Sequence, residues 1–132
     1  MDALEAARRW VHCTQAAWRN HDVDAIARLY TDDCVYHSHP FRPAHQGRDG
    51  VIDYTTRTFA VEYGNDVWFG EPIAHGDHAA IEYWVTMVEE GEPVTLAGCC
   101  VMRFTSNGQV DVTRDYWHVD DGTRARPIDW AW

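Results

Sequence analysis

The sequence predicts an α+β domain in which helices come first and an antiparallel sheet follows. Three observations carry this: helical periodicity up to residue 60, a switch to β-rich runs after Asn65, and turn signals between those runs. With 132 residues there is room for one core, so 1–132 is read as a single domain. A hydrophobic content of 45%, with seven Trp, supplies ample apolar area to close it.

Over 3–20, Leu4, Ala7, Trp10, Val11, Thr14, Ala17 and Trp18 recur at three-to-four spacing, with Arg8, Arg9, Gln15 and Arg19 between them, which predicts an amphipathic helix. His21-Asp22 ends it, and Asp22 is placed to cap a second helix over 23–30. Residues 34–39 alternate as a short strand, stopped by Pro40, which has no backbone donor. A loop with Pro43 follows, then a third helix over 47–60 with Val51, Tyr54, Thr55 and Phe59 on one side. The runs 66–74, 79–89, 94–105 and 110–119 read as strands, separated by His75-Gly76-Asp77, Glu90-Gly91-Glu92 and Ser106-Asn107-Gly108. They predict a four-stranded antiparallel meander. Residues 119–132 form a polar tail whose Trp130 and Trp132 imply that it packs back on the body.

Charge excludes two partner classes. Twenty-one acids oppose eleven bases, all of them Arg, for a net charge of −10, so there is no basic patch for nucleic acid or an acidic membrane surface. No run of about eighteen apolar residues is present to span a bilayer. The acidic start, Met1-Asp2-Ala3-Leu4-Glu5, differs from a secretory leader, so the cytoplasm is the expected location. Cys13, Cys34, Cys99 and Cys100 lack CxxC spacing and are read as reduced thiols.

The run from Ala16 to Val35, with Trp18-Arg19-Asn20-His21-Asp22, Leu29-Tyr30 and Asp32-Asp33, resembles the opening of the nuclear-transport-factor-2-like superfamily. Pro40, Gly47-Arg48-Asp49-Gly50-Val51 and the last strand, Gly108 to Trp117, are similar to its SnoaL-like branch. The resemblance covers roughly 3–119 and implies a cone-shaped fold, three N-terminal helices packed on a curved, mainly antiparallel sheet. That fold hosts isomerases, cyclases, hydrolases and non-catalytic binders. Carried over from the ketosteroid isomerases, the base position falls on His39, and the two oxyanion donors fall on Thr14 and Cys100. Two of those three groups are therefore missing. The acid/base Asp of the polyketide cyclases falls on Asp115.

The densest chemistry is Tyr36-His37-Ser38-His39-Pro40-Phe41-Arg42-Pro43-Ala44-His45. In a strand His37 and His39 share a side, and the resemblance turns that side into the cone. Imidazoles titrate near neutrality, which suits proton transfer. Same-face histidines with His45 nearby also leave a metal reading open, if Asp115 or His118 converges, although no metal or other cofactor is expected. On the last strand, periodicity favours inward valines, whereas the resemblance implies inward Asp115 and Trp117. A slip of one residue brings in Arg114, Tyr116 and His118 instead.

The expected catalytic set is thus His39 and Asp115 as an acid/base pair, with His37 or Tyr54 donating to developing oxyanion charge. The expected pocket wall is Trp10, Thr14, Trp18, Tyr36, Trp68, Tyr83, Met87, Cys100, Met102 and Trp117. Glu82, Trp84, Thr86, Val88, Thr95, Ala97, Cys99, Val101 and the last strand's valines would form an apolar outer face through which relatives pair, so a homodimer is expected. The sequence accordingly reads as a small-molecule enzyme running isomerisation, cyclisation or hydration on an apolar cyclic or aromatic metabolite. The alternative is a binding protein or accessory subunit with the same pocket.

Overall fold

The computed structural model describes residues 1–131; Trp132, the last of the tail residues singled out above, lies outside the described residues. Helix α1 (Ala3–Asn20) begins in a capping box. Asp2 accepts from the Glu5 amide at 2.8 Å, and the Glu5 carboxylate accepts from the Asp2 amide at 3.2 Å. It ends at His21 in a left-handed conformation, φ 53°. Asp22 then caps α2 (Val23–Ala27) through the Ala25 amide. This helix is shorter than the periodicity suggests, because Tyr30 already opens β1 (Tyr30–His37). Arg48, at the start of α3 (Gly47–Phe59), takes the Ala27 and Tyr30 carbonyls and so satisfies the backbone leaving α2.

A two-residue strand β2 (His45–Gln46) precedes α3, in a stretch whose prolines suggest only loop. Beyond α3 come β3 (Glu62–Phe69), β4 (Ile73–His75), β5 (His78–Glu89), β6 (Glu92–Phe104) and β7 (Val110–Asp121). The single strand expected over 66–74 is therefore two, divided at Gly70-Glu71-Pro72. The sheet runs β2-β1-β7-β6-β5-β3, with β4 also on β5, and the β1–β7 pairing is parallel. The four-stranded antiparallel meander is thus one side of a seven-stranded mixed sheet, extended past β7 by β1 and β2. Nothing in strand periodicity distinguishes a parallel partner at one edge from no partner.

Two bulges set which side chains face inward. In β3, Tyr63 pairs with Val88 and Asp66 with Thr86, so one extra residue is accommodated around Gly64, whose φ is +65°. As a result Glu62, Val67 and Phe69 share the inner face, and Trp68 faces out. In β7, Val110 pairs with Phe104 and Val112 with Arg103, leaving Asp111 as the extra residue. Val110 accordingly sits in the core while Thr113, Asp115 and Trp117 also face inward beyond the bulge. The last strand's valines therefore do not form one outer stripe.

The small residues Ala3, Ala6 and Ala7 bring α1 close to the sheet, where Trp10 meets Tyr30, Ile81, Met102, Phe104 and Val110 in the core. The tail crosses the outer face. Trp84 donates its indole N–H to the Arg124 carbonyl at 2.9 Å, and Thr95 donates to the Gly122 carbonyl at 2.8 Å. Arg126 lies 3.8 Å over the Trp68 ring and Trp130 packs edge-on against Trp84. The chain's own tail thus covers part of the outer face expected to meet a second copy. Among the described residues no helix is long and apolar enough to cross a membrane.

Candidate active site

The helices and the inner sheet face enclose a cavity of about 450 Å3, the size of a small-molecule site. Of the expected wall, Trp10, Thr14, Trp18, Tyr36, Tyr83, Met87, Cys100 and Trp117 line it, as do Tyr54 and Asp115. Trp68 does not, because the β3 bulge turns it outward beneath Arg126. Met102 does not either; it is fully buried in the core beneath the floor.

The two histidines given catalytic roles lie outside the lining. In β1 the buried and cavity-facing side chains are Tyr30, Cys34 and Tyr36, so His37 faces away from the cavity. The resemblance to a base just before proline requires an insertion here, and the even-numbered set is the one that turns inward. His39 lies past the end of β1, where its Nδ1 accepts the Phe41 amide at 3.1 Å and its ring meets the edge of Trp117. The expected His39–Asp115 pair is not formed. His45 bonds Ser38 at 2.9 Å and stacks on Tyr54, and among the described residues no three His, Cys, Asp or Glu side chains converge as metal ligands would.

Asp115 takes a different partner, Tyr83, whose phenol donates to its Oδ1 at 2.8 Å. Burial pushes the Asp115 carboxyl up to about 7, against the lowering effect of the hydrogen bonds from Tyr83 and from the Tyr116 backbone. Burial and the adjacent carboxylate drive the Tyr83 phenol far above its ordinary range, so it stays a donor at every working pH. Tyr36 and Tyr54 are raised by burial as well, and Asp115 adds to both shifts. One carboxyl is therefore surrounded by phenols that keep their protons.

The contact from Tyr83 on β5 to Asp115 on β7 spans β6, and Gly98 makes room for it. In register Gly98 lies opposite both Tyr83 and Trp117, and a Cβ there would sit 2.5 Å from the Tyr83 Cζ and Oη. Cys100, in register with Asp115, is buried beside it, with its thiol pushed up by burial and then by the carboxylate. That thiol stays neutral.

Sequence reasoning missed a second carboxyl in the cavity wall, Glu62. It is only 4% exposed, and the Trp18 indole donates to its Oε1 at 2.8 Å. Burial raises it to about 7, opposed by Trp18 and assisted by Glu89. Starting the strand at residue 66 hides it; Gly64 inside a β-rich run was the available signal of a bulge.

Three helices against a curved mixed sheet, enclosing an aromatic cavity with buried carboxyls, define a small cone-shaped domain with an interior cavity. The sequence profile of the family described as "SnoaL-like domain" matches residues 7–112, and the chain belongs to that family. Among solved structures, it is similar to a hypothetical protein of ketosteroid isomerase-like fold from Catenulispora acidiphila, determined in complex with trimethylamine. That match has a TM-score of 0.72 at 24% identity over 81% of this chain and 83% of the other. A second is the epoxide hydrolase/cyclase-like enzyme SalBIII of pyran ring formation in salinomycin, with a TM-score of 0.75 at 17% identity over 89% and 94%. A third is an LEH-like epoxide hydrolase from M. tuberculosis, with a TM-score of 0.72 at 22% identity over 87% and 84%. At these identities the likeness establishes the nuclear-transport-factor-2-like, ketosteroid isomerase-like fold.

Proposed function

We propose that the protein is an acid–base enzyme that acts on an apolar, ring-bearing metabolite carrying a carbonyl or epoxide oxygen. The observation that carries this reading is Asp115, a carboxyl in the cavity wall poised at about 7 and fixed by a phenol at 2.8 Å. A group that titrates near the working pH is both a competent base and a competent acid. Tyr83 holds Oδ1 and fixes the carboxyl in the cavity wall, where it exchanges a proton with the substrate. In the forward step the carboxylate takes a proton, either from carbon beside a carbonyl or from a water attacking an epoxide carbon. The electron pair moves onto the substrate oxygen, where Tyr36 or Tyr54 donates a hydrogen bond to the growing charge. The protonated carboxyl then returns the proton to the product. Apolar aromatic walls from Trp10, Trp18 and Phe69 hold the ring system and exclude water. Two of the similar structures belong to an epoxide hydrolase/cyclase-like enzyme and an LEH-like epoxide hydrolase, in keeping with this reading.

The test is proton–deuteron exchange into a panel of cyclic ketones, followed by NMR, beside hydrolysis of matched epoxides. Turnover of a panel member should fall by about 10²–10⁴ in Asp115→Asn. Turnover unchanged in that variant overturns the assignment. A second reading, ligand holding without chemistry, is favoured by Thr14 and Cys100 standing in the cavity wall at the positions that correspond to the isomerases' oxyanion donors; saturable binding with no exchange or hydrolysis in either panel would establish it.

A further inference from the structure

We propose that the Glu62 end of the cavity is a subsite for a protonated amine on the ligand. The inference rests on reading the cavity as the ligand site and deepens it, by giving the substrate a cationic group remote from its reacting oxygen. Register separates the two carboxyls: Asp115 aligns through Cys100 with Ile81, and Glu62 aligns with Glu89, toward opposite ends of β5. Glu62 is buried, yet only one of its oxygens is well satisfied. Oε1 accepts the Trp18 indole at 2.8 Å and the Asn65 amide at 3.5 Å, whereas Oε2 is buried without any partner. A buried carboxyl oxygen without a donor is costly, and a side-chain rotation that turns Oε2 into the cavity lets a ligand donor remove that cost.

The surroundings select the sign of that donor. Glu89 and Glu90, where β5 turns into β6, line the same cavity, so three carboxyl groups gather at this end. Arg57 from α3 also lines it but is paired with Asp53 at 3.0 Å, and His21 from the end of α1 reaches Glu62 only through Asn65. An anionic ligand group would be repelled there, while an ammonium would meet a carboxylate with a free oxygen. The Trp18 and Phe59 rings in the same lining supply π faces that tolerate a partly desolvated cation.

Isothermal titration calorimetry with benzylamine, benzyl alcohol and benzoate, three probes of one shape and different charge, tests this directly. Benzylamine should bind and the other two at least about tenfold more weakly, as loss of a charge-assisted hydrogen bond implies. Because an ammonium pairs with the ionised carboxyl, binding at pH 7 should release about 0.5 proton per amine, falling toward zero by about pH 8, before the amine itself begins to lose its proton. Glu62→Gln should abolish the proton release and weaken the amine at least about tenfold, with Asp115→Asn leaving both in place. Trp18→Phe, which removes the indole donor, should move the midpoint of proton release to higher pH. Equal affinity for the three probes, or amine binding lost in Asp115→Asn and kept in Glu62→Gln, overturns the subsite. Turnover of Asp115→Asn reports separately on the acid–base reading, so the two can fail independently.

Discussion

Gly98→Ala places a single methyl group where the Tyr83 ring crosses β6. Its Cβ would lie 2.5 Å from Tyr83 Cζ and Oη and 2.7 Å from Cε2, against an ordinary carbon contact of about 3.5–4.0 Å. The ring must therefore retreat by about 1 Å, and the 2.8 Å hydrogen bond to Asp115 cannot survive that displacement. Hydrogen bonds to charged groups are worth about 1.5–3 kcal/mol, which corresponds to about one to two pKa units. The sign follows from the donor: Tyr83 stabilises the ionised carboxyl, so losing it moves Asp115 upward from about 7. Overpacking should also cost about 1–3 kcal/mol of stability. Carbon-detected NMR titration of the Asp115 carboxyl reads the shift, with Tyr83→Phe as the control that removes the hydroxyl without crowding β6. An Asp115 titration unchanged in both variants refutes the argument; a shift in Tyr83→Phe alone refutes the role given to Gly98.

Three further outcomes follow from the same geometry. Both raised carboxyls bind protons more tightly in the folded chain than their ordinary values of about 4 allow. Their contribution to stability is complete below pH ~4 and is lost as the pH rises through about 7, so the melting temperature should fall between pH 5 and 8.5. Asp115→Asn with Glu62→Gln should flatten that fall, by on the order of 2–4 kcal/mol per group; an equally steep fall in the double variant counts against both shifts. His39→Ala should leave turnover within about twofold, since the imidazole lies outside the cavity, and a loss beyond about tenfold would restore it to the site. Met102→Ala should cost about 2–5 kcal/mol in chemical denaturation, as for a fully buried side chain, while ligand affinity stays near wild type.

The elements that periodicity marks most strongly are where sequence and structure agree. Helix α1 combines a capping residue, an apolar stripe and a polar back, all local signals, and its bounds match the expectation. Asp115 and Trp117 face inward as the family resemblance implied, even though alternation along β7 argued for the valines. The Asp111 bulge explains the conflict, because it lets Val110 and Asp115 share a face that strict alternation denies them. The Gly64 bulge does the same in β3, placing Glu62 on the inner face with Val67 and Phe69 and leaving Trp68 on the outer one. The histidines failed for a further reason. Their residue type suits proton chemistry, but side-chain direction at the end of a strand depends on its partner, and the parallel pairing with β7 is a long-range contact.

The tail that crosses the outer face also sorts the tryptophans into two optical populations. Trp10, Trp18 and Trp117 border the cavity, whereas Trp68, Trp84 and Trp130 sit together on the far side of the sheet. Ligand entry should change the emission of the first group and detachment of the tail that of the second. With Trp68, Trp84, Trp130 and Trp132 replaced by Phe, the three remaining tryptophans all border the cavity and their fluorescence becomes a gauge of its occupancy in the unlabelled protein.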